Sequence, residues 1–595
     1  MNRILQALAV GLLVVLSVLP IGRTLLTSVQ TTPGAETVST GERTTEFTLD
    51  HYREAFLDAP VVTPTVAPTV APPPAAVTAA PTSSRVSTNF KLLGNSLTIA
   101  FLAALFALAL GLPYAYLIAR TNLPARGFFR SIYLVPLVLP PLLTGMAWSF
   151  IPAFEPGKLT GNEGNVSWGG VLAIVRAAGL FALCYFPIVV LFARRALQQV
   201  PATLEESARM VAGPWATFRR VTLPLIAPGT LAGALFVFLF ALNDFSLVDY
   251  LNWVRPTADR ISVYPYQSFV AWTTESGQGV ATALGTPLAL IGAGLLVVIH
   301  RLIGRRSRSS IGTAFRAPRP LELGAWRPVA VAGLSVLLIV SVGIPAYGLL
   351  SKAGGVEAYR SIVKTVAGSG SSTQEMLWTL WHAGLASCIA VPLAFVLAHR
   401  VARKGSLGLS VLALLPLALP PIFLGIGYLR LTSGLEFSIP GVVEQRNPFV
   451  DADSPRLASS FLLVAKYMAF AVAALWASFL EIDPKLEEAG SVAGIKPLDR
   501  MLGILVPLAR PALALSFVLV FVFALREIDT LVLLTSDTLM HKIYTAVHFA
   551  RDSQVAALSV ILIAMQAIPF ALLALFSDGG SRFGSPTPSR KPARA

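Results

Sequence analysis

Two carboxylate pairs in polar loops are the residues best placed to do chemistry in this 595-residue chain. Glu205 and Glu206 open LEESARMVAGPWATFRRVTLP (204–224), and Glu487 and Glu488 open LEEAGSVAGIKPLDRMLGILVP (486–507). Each pair is followed by an alanine (Ala208, Ala489), a glycine (Gly213, Gly494) and a proline (Pro224, Pro507). Carboxylates favour the positive end of a helix. Glycine permits a left-handed or tight turn. The prolines stand just before the next apolar run, where the chain must change direction. Helix, turn and second helix make a compact knob. A knob kept twice reads as a device for holding something, not as a catalyst.

A second set of polar residues lies inside apolar runs: Asn243 and Asp244, then Arg526, Glu527 and Asp529 at the matching place later on. Charges there are expensive and mark function or tight pairing. They read either as a polar gate for cargo or as an ion pair, for example Arg526 with Asp244. Counted from Pro224, Asp244 lies roughly 30 Å along a helix, near the outer mouth. His382 reads as a packed, hydrogen-bonded residue. Cys184 and Cys388 fall inside apolar runs and read as packing residues, not a disulfide or metal pair. No His, Cys, Asp or Glu cluster has metal-ligand spacing. No GxxxxGK[ST] phosphate loop occurs, since Gly157 and Lys158 are followed by Leu159. No cofactor or metal is expected, and nucleotide chemistry is assigned to a separate polypeptide.

These residues need elements to position them. The chain is 54% hydrophobic and 13% charged, too little charge to cover a soluble protein of this size. The pattern predicts an all-α polytopic membrane protein with about twelve spans. They fall near 4–22, 94–118, 131–152, 169–193, 226–248 and 281–303, then 328–350, 376–398, 408–429, 459–480, 511–534 and 554–576. The net charge of +15 could suit nucleic acid, but the basic residues alternate with spans, which excludes it. Basic loops carrying Arg120, Arg194, Arg209, Arg301, Arg400 and Lys496 place both knobs and both termini in the cytoplasm.

The organisation reads as a first, uncleaved span (1–25) and an extracytoplasmic segment (26–92). That segment contains a Pro-, Thr-, Val- and Ala-rich spacer (59–84). A membrane domain (93–303), a basic cytoplasmic linker (304–327), and a seventh span with its outer loop (328–371) follow. A second membrane domain (372–576) and a cytoplasmic tail (577–595) complete the chain. The domains repeat. LPYAYLIAR (112–120) matches VPLAFVLAH (391–399), PLVLPPLLTG (136–145) matches PLALPPIFLG (416–425), and FALNDFSLV (240–248) matches FALREIDTL (523–531). A parallel tandem repeat puts a substrate path between its halves. Pro136, Pro140 and Pro141, with Pro416, Pro420 and Pro421, sit inside spans as helix-kink candidates. Each bend is either a packing bend or one that shapes a gate.

The duplicated loop resembles the EAA loop of permease subunits of bacterial ABC importers with the type I fold. In that family the loop forms a coupling helix that docks on the ATPase. The second copy fits the family spacing, with Gly494 six residues after Glu488. The first copy is one residue short, so Ala212 stands where the glycine is expected. The fused, double-length form looks most like ferric iron and thiamine permeases, and FTLDHYREAF (47–56) resembles the segment before their core. The resemblance implies a multi-pass protein of the bacterial inner membrane that moves cargo but is not itself an enzyme. It implies two copies of an ATPase subunit and an extracytoplasmic solute-binding protein as partners. Ferric iron is the expected cargo, with thiamine, a polyamine or a phosphonate as alternatives. A secondary transporter would also have twelve spans, but leaves the duplicated loop without a purpose.

Overall fold

The computed structural model describes residues 3–30, 47–57, 85–151, 169–253, 261, 263–272, 277–304, 320–355, 359, 362, 372–433, 457–549 and 551–580. The 59–84 spacer, Gly157 and Lys158, the linker residues 305–319 and the tail from 581 lie outside the described residues. Among the described residues, ten helices are long and apolar enough to cross a membrane. In the first half they are α1 (Ile4–Val29), α3 (Arg85–Arg120), α6 (Gly169–Gln198), α8 (Pro214–Asn243) and α11 (Gly277–Gly304). In the second half they are α12 (Gly324–Lys352), α13 (Ser372–Lys404), α16 (Leu457–Phe479), α18 (Pro497–Leu525) and α20 (Asp552–Gly580). Short α2 (Asp50–Phe56) docks on α11.

The two remaining expected spans are not straight. α4 (Arg126–Ile132), continued by a 3₁₀ turn over Val135–Val138, meets α5 (Pro141–Ser149) at 88°. α14 (Leu407–Ala418) meets α15 (Pro421–Thr432) at 99°. The cause is the Pro-Pro pair. A residue before proline is pushed out of the helical region, so Leu139 and Pro140, like Leu419 and Pro420, are extended. The second proline then starts the next helix, where its missing N–H costs nothing. Pro136 and Pro416 do not break the chain; Pro136 opens the 3₁₀ turn and Pro416 sits within α14.

Each broken pair lies in a stretch of chain that returns from one face to the other. Arg120, at the end of α3, donates to the carbonyls of Leu197 (2.7 Å) and Val200 (3.3 Å) at the end of α6. Both helices therefore finish on one face, and the chain between them must return to the other. Arg403 does the same for α13 and α16, donating to Phe479 (3.2 Å) and Ile482 (3.1 Å).

The first helix of each half packs on the opposite half. α1 lies against α15, where Thr24 donates to the Phe423 carbonyl at 2.9 Å and the Tyr428 hydroxyl donates to that of Leu16. α12 lies against α5. Both contacts need a missing side chain. A Cβ on Gly427 would sit 2.3 Å from the Thr24 hydroxyl, and one on Gly348 would sit 2.1 Å from the Ala147 carbonyl. α1, α8, α12 and α18 each widen to a π turn just before a proline: Pro20, Pro224, Pro345 and Pro507. The wider turn draws the preceding carbonyls away from a ring that cannot donate to them.

Candidate functional site

The knobs form at the ends of α6 and α16. In the first, α7 (Ala202–Val211) leads through Ala212 and Gly213 into α8. In the second, α17 (Pro484–Val492) leads through Gly494 into α18. The expected change of direction at Pro224 and Pro507 does not occur. The spans run unbroken through both prolines and begin at Pro214 and Pro497. The turn lies one helical stretch earlier, where Pro214 and Pro497 take the first helical position that proline favours.

The two turns differ. Gly494 adopts φ +73°, and the second knob closes with bonds from Ile495 N to Gly490 O (3.0 Å) and from Gly494 N to Ser491 O (3.1 Å). This is a Schellman closure, which requires a left-handed residue. The first knob has no left-handed residue. Ala212 (φ −136°) and Gly213 (φ −63°) are both extended. The missing residue therefore falls in the turn, and the shorter turn avoids the conformation an alanine resists.

Each glutamate pair divides its work. Glu205 is buried, lies 3.3 Å from the Arg120 guanidinium and accepts from the Thr222 hydroxyl at 2.9 Å. Glu487 takes the same place, accepting from Arg403 Nε and bonding His399 Nε2, each at 2.8 Å. Burial alone would raise the Glu487 carboxyl, but His399 and Arg403 more than offset it and lower it to about 2. His399 stands where the repeat puts Arg120. The second half thus splits between two side chains what one arginine does in the first. Glu206 and Glu488 point to solvent, as does Ala489, while Ala208 is half-buried. Around them lie exposed apolar side chains. Met210, Val211 (91% exposed) and Trp215 (72%) crown the first knob, and Val492 (90%), Ile495 and Leu498 the second.

Between the halves lies a cavity of about 530 Å³. Arg195, Gln198, Glu481 and Asp483 line its end near the knobs, and Leu137, Phe470 and Phe523 its far end. At the knob end Arg195 donates to Glu481 across the halves at 2.9 Å. The far end is closed by stacked rings. Phe470 lies 4.3 Å from Phe523 and 5.2 Å from Phe240, with Tyr185 5.3 Å from Phe240 and Tyr467 5.8 Å from Phe523.

The intramembrane polar residues cap this plug. Arg526 lies over the Phe523 ring at 4.2 Å. It donates to the carbonyls of Leu137 (2.8 Å) and Leu139 (3.4 Å) and to the Tyr185 hydroxyl (3.4 Å), not to Asp244. Asn243, its counterpart in the repeat, donates to the Ala418 carbonyl at 3.3 Å. Each half therefore satisfies carbonyls freed at the other half's Pro-Pro break. Asp244 instead accepts from Ser246 and from the Leu247 N–H, both at 3.2 Å. Glu527 accepts from Lys466 at 2.7 Å, from Tyr467, and from Thr530. Asp529 is half-buried. These residues lie beside the proline breaks, at the ends of α8 and α18 far from the knobs. Lys466, Tyr467 and the ring plug were missed in the sequence. The lysine sits alone in an apolar run, and period alone does not distinguish the plug's rings from packing.

Elsewhere, His382 is buried and bonds Ser460 at 2.8 Å. Cys184 packs against Thr144, whereas Cys388 is exposed on the outer surface of its helix and is not a packing residue.

Two parallel halves, a shared cavity between them and two knobs on one face are the plan of a membrane permease. The family model for the inner membrane component of binding-protein-dependent transport systems matches residues 107–309. A probable molybdenum ABC transporter permease of Haloferax volcanii is 32% identical over 213 residues, 35% of this chain and 73% of that relative. The molybdenum transport permease ModB of Escherichia coli K12 is 28% identical over 36% of this chain and 94% of its own length. The Fe(3+)-transport permease FbpB 2 of Haemophilus influenzae is 24% identical over 82% of this chain and 88% of its own. The chain belongs to the family of binding-protein-dependent transport permeases. It is a multi-pass inner-membrane permease of an ABC importer, working with an ATPase and a solute-binding protein.

Proposed function

We propose that this chain is the whole permease of a ferric iron importer, both halves in one polypeptide, and that each knob docks one ATPase subunit. The observation that carries the cargo is length. The ferric permeases align with 76% to 82% of the chain, whereas the molybdenum permease ModB aligns with 36% of it. The exposed apolar crown on each knob supports docking, since such a patch on an otherwise polar loop marks a protein contact. ATP hydrolysis belongs to the separate subunits, not to this chain. Both termini and both knobs face the cytoplasm, as the basic loops suggest. Domain limits of 93–303 and 372–576 go with this reading.

On this account the structure stands open toward the cytoplasm. The cavity would be its inner vestibule, and the ring plug with Arg526 and Asn243 the gate that bars the outer side. Closing of the ATPases would draw the knobs together, and α8 and α18 would carry that movement to the plug. A binding protein docked outside would then release cargo between the halves. The test is to replace Val211 and Trp215, then Val492 and Leu498, with Asp and measure ATPase co-purification. Each pair should cost one ATPase subunit. Unchanged co-purification and uptake in the combined variant would end the docking assignment. Loading the purified binding protein with ferric iron tests the cargo separately.

A further inference from the structure

A contact ties the halves together on the side opposite the knobs. α8 and α18 both start at the knobs, so the segments after their far ends lie at the outer side. There α9 (Ser246–Trp253) of the first half faces α19 (Leu539–His548) of the second. The Tyr544 hydroxyl donates to Asp249 Oδ2 at 2.9 Å, and His548 Nε2 lies 3.4 Å from the same oxygen. The other imidazole nitrogen, Nδ1, lies 2.9 Å from the Tyr544 carbonyl. The two rings are 4.5 Å apart.

The carbonyl oxygen beside Nδ1 and the carboxylate oxygen beside Nε2 can only accept. A neutral imidazole has one N–H and serves one of them; an imidazolium serves both. Loss of the proton therefore breaks either the anchor to the histidine's own helix or the contact to the other half. Burial opposes the charge on His548, but Asp249 and the Tyr544 carbonyl outweigh it and raise the group above its ordinary 6.5. Burial, and then Asp249, push the Tyr544 hydroxyl well above 10, so it remains a donor. Among the described residues, Tyr266 of α10 (Tyr264–Trp272) and Asp529 also act on Tyr544.

We infer that Asp249, Tyr544 and His548 form a proton-dependent latch across the outer side of the two halves, closed when His548 is charged. The inference rests on the reading that the halves part on this side during transport. The charged form is favoured while the latch is made. Its contribution is therefore fully present below the ordinary imidazole range and is lost as pH rises through the raised value. Acid outside holds the outer side shut, and neutral to alkaline conditions release it. One proton can change the open population by at most about tenfold per pH unit.

The test uses the full chain with its ATPase in lipid nanodiscs, with ATP and vanadate and no binding protein, so that cargo loading plays no part. Spin labels on Gly170→Cys and Arg551→Cys, with Cys388→Ala, report the distance across the outer side. The open population should rise several-fold from about pH 5.5 to about pH 8. His548→Gln and Asp249→Asn should each flatten that profile. Tyr544→Phe, which removes a bond that does not titrate here, should favour opening at every pH and keep the slope. A wild-type slope in both His548→Gln and Asp249→Asn overturns the latch while outer opening stands. No opening at any pH overturns the alternating movement beneath it, and the latch with it.

Discussion

Glu487 gains from its two partners only while it is ionised. Its carboxyl is lowered to about 2 in the folded chain. The contribution is thus present above the ordinary glutamate value and is lost as pH falls through about 2. Allowing for solvent screening of a half-buried group, it is worth about 1–2 kcal/mol. Glu487→Gln should lower the midpoint of thermal unfolding by a few degrees at pH 7, and the difference from wild type should shrink under strong acid. Equal midpoints at pH 7 would show that the staple does not hold the knob. Arg526 is a different case, because it is buried and satisfies backbone carbonyls. Arg526→Ala leaves those acceptors buried and unpaired, at about 1–3 kcal/mol each. Uptake should fall at least tenfold, and Arg526→Lys, which cannot fork between two carbonyls, should restore little of it.

At the scale of elements, the knobs are alike in outline and unequal in closure. Gly494→Ala forces a side chain into φ +73° and should cost about 1 kcal/mol and weaken ATPase retention. Gly213→Ala meets open space in an extended residue and should change neither. The missing residue in the first loop was legible in its spacing, and Ala212 in the glycine's place was a fair warning. What spacing could not say was that an extended turn would replace the left-handed one. The Pro-Pro pairs were legible as bends. Their near-right angles were not, because each depends on two successive extended residues. The wrong start for α8 and α18 has a physical cause as well. Pro224 and Pro507 look like boundaries in the sequence, yet a π turn lets each helix absorb its proline.

For the molecule as a whole, the helical fold and the two-half plan were plain in hydropathy and in the repeat. The exchange of first helices was not, since hydropathy says that a helix spans but not which half it meets. That exchange joins the halves through two close approaches, at Gly348 and Gly427. A valine at either should force the helices apart and reduce folded yield, read as monodisperse protein after extraction. The division of labour also differs between halves: Arg120 alone in one, His399 with Arg403 in the other, and Cys184 where the second half has Lys466. Duplication therefore kept the frame and let the interior diverge, which suits a path that presents different faces to one cargo. The central claim is that one chain carries two ATPase docking sites. Native mass spectrometry of the complex purified through this chain tests it most directly. The account predicts one permease chain with two ATPase subunits. A transport-competent complex with one ATPase or none, driven by an ion gradient alone, would contradict it.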